Sequence, residues 1–167
     1  MDVLIMAGGK GSRINNNKKM LLKINDEYII SILIKKLKKL NFNVTVCISD
    51  NTIFLNKILN EKIIYGTGDY NCDLKLSLDK LNLPVIVLPA DVIFDIEIIE
   101  EFIDRSMEIK SGIVNLKINN ELTGISIFFE KLYNYELKYS NINYNRNDFF
   151  NINYSSDYIM ARNFFEK

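Results

Sequence analysis

Residues 1–21 read MDVLIMAGGKGSRINNNKKML, and the way this stretch breaks decides the architecture. The apolar run from Val3 to Ala7 stops at Gly8, Gly9 and Gly11, and Lys10, Arg13, Lys18 and Lys19 surround the break. A short continuous apolar run bounded by glycine suits a strand buried on both faces of a parallel sheet. Glycines let a backbone approach a ligand closely, with successive N–H groups turned toward an anion. Lys10, Arg13 and, past the asparagine spacer, Lys19 would add charge for several phosphate oxygens. The same residues also describe an ordinary glycine turn with surface lysines. Neither G-x-x-x-x-G-K-S/T nor G-x-G-x-x-G can be laid on GGKGSR, so the turn matches no general phosphate fingerprint.

Beyond the turn, helix and strand signals alternate. Between Glu27 and Asn41, Ile30, Leu33, Ile34, Leu37 and Leu40 recur at helical spacing, with Lys35, Lys36, Lys38 and Lys39 opposite as a solvated face. VTVCI is read as a second strand, followed by Ser49-Asp50-Asn51 as a turn or helix cap, and a helix is expected from about Thr52 to Leu59. KIIY is a third strand, the Gly66-Thr67-Gly68-Asp69 break comes next, and Cys72 to Leu81 is helical. VIVLPAD is the clearest buried strand and ends at Asp91. A helix over Ile96 to Met107 has an acidic start, with Asp95 as its expected cap. GIVNLKI and GISIFF then alternate with period two around an Asn119-Asn120 turn. Residues 140–148 are a polar connection without an assigned structure, and a closing helix from Ser155 is expected to be capped by serine.

This order predicts an α/β chain: a doubly wound, mostly parallel sheet in a three-layer α/β/α arrangement, as a single domain over residues 1–167. Ligands of such sheets collect beyond the carboxyl ends of the strands, where the glycine turn and Asp91 both lie.

Composition narrows the chemistry. Lys plus Arg equals Asp plus Glu at 21 each, so no nucleic-acid partner is expected. No apolar run approaches a membrane span, and the only cysteines, Cys47 and Cys72, lack metal or disulfide spacing, which points to a reduced, cytoplasmic setting. The absence of histidine excludes Ser-His-Asp triads, histidine bases and histidine-rich metal sites.

LIMAGGKGSR followed by Lys19 resembles the A-G-G-x-G-x-R…K-P signature of the nucleotidyltransferase superfamily with the nucleotide-diphospho-sugar transferase fold. VIVLPAD is similar to the strand ending in that family's magnesium-binding aspartate, and FFNIN to the F-x-N-I-N segment of its smaller members. Met20 stands where the family usually has proline. Within the superfamily, the MDVLIMAGGKGSR start, YGTGDYNCDL and TGISIFF look most like the archaeal-type adenosylcobinamide-phosphate guanylyltransferases; the G-P-L-x-G segment usual in molybdopterin guanylyltransferases is missing.

The resemblance implies transfer of GMP from GTP to adenosylcobinamide phosphate, with Mg2+ as cofactor and pyrophosphate as product. Arg13 and Lys19, both expected to be partly exposed, would hold the triphosphate, with Gly8, Gly9 and Gly11 donating backbone N–H groups and Lys10 assisting. Asp91 would bind the metal, and Asn153 would be a second metal or substrate ligand. Asp69 and Asp73, beside the Gly66–Gly68 turn, are candidates for reading guanine, with a plain loop role as the alternative. Gly124 would admit the acceptor phosphate or else mark a strand bulge. A phosphate monoester has its second pKa near 6, so the nucleophile is ionised at neutral pH and no general base is required. Two alternatives stay open: molybdopterin or another phosphorylated small molecule as acceptor, and a non-catalytic nucleotide-binding module. A homodimer is compatible with each.

Overall fold

Val3, Leu4 and Ile5 are fully buried, and their neighbours show why the first strand carries no polar face. The computed structural model describes residues 1–9, 18–133 and 136–166. Its first half runs β1 (Asp2–Met6), a 3-10 turn at Lys19–Leu21, β2 (Lys23–Ile24), β3 (Glu27–Tyr28), α1 (Ile29–Lys39), β4 (Asn43–Ile48) and a 3-10 segment at Asp50–Lys57. Next come β5 (Lys62–Tyr65), α2 (Tyr70–Leu78), β6 (Val85–Pro89), β7 (Val92–Phe94) and α3 (Glu97–Ile109). The chain ends with β8 (Ile113–Ile118), β9 (Glu121–Phe128), β10 (Tyr139–Tyr144), β11 (Phe149–Asn151) and α4 (Ser155–Phe165).

Seven strands form one sheet in the order β10-β8-β9-β6-β1-β4-β5. β1 lies between parallel partners, Met6 standing opposite Cys47 of β4 and Pro89 of β6. Only β9 runs against its neighbours, β6 and β8. Because side chains alternate across a strand, Val3, Ile5, Val46, Ile86 and Leu88 face α1 and α3 on one side. Leu4, Cys47, Val85 and Val87 meet Leu74 and Leu78 of α2 on the other. These are the three layers expected from the alternation of strands and helices. Among the described residues no helix is long and apolar enough to cross a membrane.

Several local expectations change. Residues 139–144, which overlap the polar connection, pair in parallel with β8 as an edge strand. Only Ile142 of that strand is buried, so no apolar alternation marks it. A second unanticipated pairing joins β7 to β11, with Asn151 opposite Val92. α3 has no side-chain cap; the Asp95 carbonyl accepts from Ile98 N–H instead. α4 is held by an acid rather than by a serine: Asp157 Oδ2 accepts the N–H of Asn153 at 2.8 Å and of Tyr154 at 2.7 Å. Lys36 leaves the solvated face: its ammonium donates to the Phe94 carbonyl and lies over the Phe165 ring, and burial lowers its pKa.

Candidate active site

The register of the parallel strands brings two sequence-distant turns together. Because Met6 stands opposite Pro89, the Ala7–Gly9 turn after β1 and the Ala90–Asp91 turn after β6 leave the same sheet edge side by side. Between them lies a cavity of about 220 Å³, walled further by Lys19, Met20, Gly68, Tyr70 and Asp73.

Lys19 reaches this cavity from the 3-10 turn. Met20 is 8% exposed and belongs to the main core, so burial anchors the turn at the position where the signature that the sequence resembles has proline. Lys19 itself is also only 8% exposed, which corrects the expectation of a partly exposed triphosphate ligand. Its Nζ lies 3.9 Å from Asp91 Oδ2, within ion-pair range but too long for a hydrogen bond. Burial pushes the Asp91 carboxyl above its ordinary pKa, and the Lys19 ammonium opposes this. Desolvation therefore outweighs the Lys19 charge and the backbone hydrogen bond that act against it, and a cation at Asp91 would relieve it.

The chemistry of the site fits a hard divalent ion with few protein ligands. Among the described residues no group of three or more His, Cys, Asp or Glu side chains comes together. Mg2+ is commonly held by one or two carboxylates, with water and substrate phosphates supplying the rest of its octahedron. Asp91 is the described carboxylate at the cavity that could hold such an ion without a hydrogen-bonded turn already claiming it.

The opposite wall is built around another carboxylate. Asp73 is 1% exposed; its Oδ1 accepts from Thr67 N–H at 2.6 Å and from the Thr67 hydroxyl at 2.9 Å, and Oδ2 from Gly68 N–H at 3.0 Å. Asp69 caps α2, its Oδ1 accepting from Cys72 N–H at 2.9 Å. Of the two expected readers of guanine, Asp73 faces the cavity and Asp69 is a helix cap. Ser49, at the end of β4, donates its hydroxyl to the Gly8 carbonyl at 2.7 Å and so pins the glycine turn from below. The one signal of that contact in the sequence is a serine directly after VTVCI, at a strand carboxyl end.

Gly8 and Gly9 line the cavity, whereas Lys10, Gly11 and Arg13 lie outside the described residues. Gly124 has φ +81 and sits at an irregularity in the β8–β9 pairing, and a Cβ there would be 3.4 Å from Pro89 Cγ. It therefore borders the β6 end of the site. Asn153 follows the Ile152 N–H that donates to the Asp91 carbonyl, so the β11 end is tied to the candidate metal residue. Asn153 does not line this cavity; it lines a separate cleft with Asn151, Thr123 and Tyr154.

No protein-family model and no curated protein matches the chain in sequence. Solved structures match its fold over nearly full length. The Rv0371c protein of Mycobacterium tuberculosis H37Rv superposes with a TM-score of 0.75 at 10% identity, covering 97% of each chain. A manganese complex of that protein gives 0.71 at 10% identity, over 99% of this chain and 97% of the other. Molybdopterin-guanine dinucleotide biosynthesis protein A of Archaeoglobus fulgidus gives 0.73 at 15% identity over 98% of both chains. CTP:phosphocholine cytidylyltransferase of Streptococcus pneumoniae gives 0.69 at 14% identity, again over 98% of both. The shared architecture is the nucleotidyltransferase fold expected from the sequence.

Proposed function

We propose that this chain is a nucleotidyltransferase that moves GMP from GTP to a phosphorylated small molecule and releases pyrophosphate. The observation that carries the reading is the pair of buried Lys19 and half-buried Asp91 beside the Gly8–Gly9 turn at the carboxyl edge of a nucleotidyltransferase-type sheet. An acceptor phosphate oxygen attacks the α-phosphorus of GTP, a new P–O bond forms, and the α–β anhydride bond breaks with its electron pair leaving on pyrophosphate. The acceptor is ionised at neutral pH, so a chain without histidine needs no base for this step. What the protein supplies is alignment and charge neutralisation.

Lys19 offers a buried ammonium to the triphosphate; Arg13 and Lys10 extend that charge, and the N–H groups of Gly8, Gly9 and Gly11 face the phosphates. Asp91 holds Mg2+, which supplies charge stabilisation at the transferring phosphate. Asn153 and Gly124 belong to the acceptor side, beyond Asp91 and Pro89. Guanine is read at the turn after β5, beside Asp69. With the Thr67 and Gly68 N–H groups aimed at Asp73, planar trans peptides direct the Gly66 and Thr67 carbonyls away from it. Those are the acceptors that the N1–H and N2–H2 edge of guanine requires.

The sequence motifs favour adenosylcobinamide phosphate as acceptor. A second reading, molybdopterin, draws on the fold shared with the Archaeoglobus fulgidus protein. Pyrophosphate release, measured with GTP, Mg2+ and each acceptor in turn, decides. Release with cobinamide phosphate supports the first reading, and release only with molybdopterin the second. No release with any phosphorylated acceptor or nucleoside triphosphate would leave a binding module without turnover.

A further inference from the structure

Asp73 raises a physical question that nucleotide transfer leaves open. A carboxylate sits almost fully buried against the cavity assigned to an anionic ligand, where its charge would repel phosphate. The cost of burying it is offset locally: three donors converge on it, all from Thr67 and Gly68. It also lies in the first turn of α2, where a helix N-terminus favours negative charge. Its main chain is equally committed, with its N–H bonded to the Asp69 carbonyl and its carbonyl accepting the Ser77 hydroxyl at 2.7 Å.

Packing around the carboxylate is as restrictive as its hydrogen bonding. A Cβ on Gly66 would lie 2.4 Å from Asp73 Cγ and about as close to both oxygens, so the glycine is there because the carboxylate occupies the space. A Cβ on Gly8 would lie 3.4 Å from Asp73 Oδ2 and 3.4 Å from Ser49 Cβ. The two glycine turns of the cavity thus meet on one side chain.

We infer that Asp73 is a positioning residue for the nucleotide: it clamps the Gly66–Gly68 turn against the Gly8 turn and fixes the wall that receives the base. This rests on the nucleotide-binding reading above and deepens it, since it moves Asp73 from a contact with guanine to a support for the groups that make that contact. Asp73 acts on affinity, while the chemical step belongs to Lys19 and Asp91.

The test uses the whole chain and two readouts: the dissociation constant of a non-hydrolysable GTP analogue with Mg2+, and the thermal midpoint without ligand. Asp73→Asn keeps the shape but turns one acceptor into an amide donor facing an N–H. It should weaken analogue binding about tenfold or more, as loss of a hydrogen bond to a charged group does, with kcat at saturating GTP within about threefold. A purely structural role would lower the thermal midpoint and leave the dissociation constant of the folded protein unchanged; that result overturns the inference. Gly66→Ala supplies the second arm. It should lower the midpoint strongly in the wild-type background and far less beside Asp73→Ala, where the colliding carboxylate is gone. Additive midpoint shifts would overturn the clamp. Failure of the wild type to bind the analogue, with the coupling present, would instead sink the nucleotide reading and the role built on it.

Discussion

The two walls of the cavity each carry one aspartate, and the contrast between them separates a carboxylate that the fold saturates from one whose pKa burial raises. Asp73, on the α2 side, has its oxygens bonded to three donors from one turn. Asp91, just past β6, is half-buried, with the Lys19 ammonium 3.9 Å away and a pKa raised by burial. Both sit at the carboxyl edge of the same sheet, so position does not distinguish them. Saturation does. A buried carboxylate whose donors are supplied by its own fold needs no outside partner, whereas a cation would relieve the desolvation that raises the pKa of Asp91.

The largest effect expected from this contrast is on rate. Lys19→Met keeps the buried volume and removes the charge facing Asp91. It should slow pyrophosphate release about 10²-fold, the usual cost of losing one preorganised group at developing charge. A rate within a few-fold of wild type would show that the triphosphate charge is not held by Lys19.

Stability sharpens the comparison next. Asp73→Asn should lower the thermal midpoint by about 5 °C, from an N–H left facing an amide donor. Asp91→Asn, in metal-free buffer at neutral pH, should hold or raise it. The sign comes from the raised pKa of Asp91: the folded state binds the proton more tightly than the unfolded one. The stabilising contribution is present below the unfolded carboxylate pKa and lost as pH rises through the folded value. Wild type therefore carries the penalty at pH 7 and the amide does not, and the difference should close on acidification. Thermal scans from pH 4 to pH 7 check this, and equal losses for the two variants would erase the distinction.

The smallest expected effect is in the pH profile. Burial pushes the Cys47 thiol up, and the Asp69 hydrogen bond does the same for Cys72. Neither thiol then titrates near neutrality, and the acceptor phosphate, with its pKa near 6, should set the acid limb of transfer. The profile should survive Cys47→Ala and Cys72→Ala and move upward with a phosphonate acceptor of higher second pKa.

The parts of the molecule legible in the sequence are those where one physical pattern dominates. Val3 to Ala7 and Val85 to Leu88 are continuous apolar runs because both faces of those strands are covered, and they locate the sheet centre and both turns of the site. Ile30, Leu33, Ile34 and Leu37 mark α1 by spacing alone. The β10 edge strand escapes because it buries one residue, and β7 with β11 because three-residue strands are too short to show a period. Lys36 is hidden for another reason: the Phe94 carbonyl that it meets arrives from a strand 58 residues away. The roles of Asp69 and Asp73 are equally illegible. Each comes after a glycine turn, and only the folded backbone shows that one caps a helix and the other gathers the turn.

The most direct test of the central claim is pyrophosphate release by wild type and Asp91→Asn with GTP and acceptor across a Mg2+ titration, beside the thermal midpoint of each protein. The variant should lose about 10²–10³ in rate at every metal concentration while its midpoint stays at or above that of wild type. Full activity of Asp91→Asn across the titration would show that this carboxylate is not the metal ligand, and the reading of the site would fail.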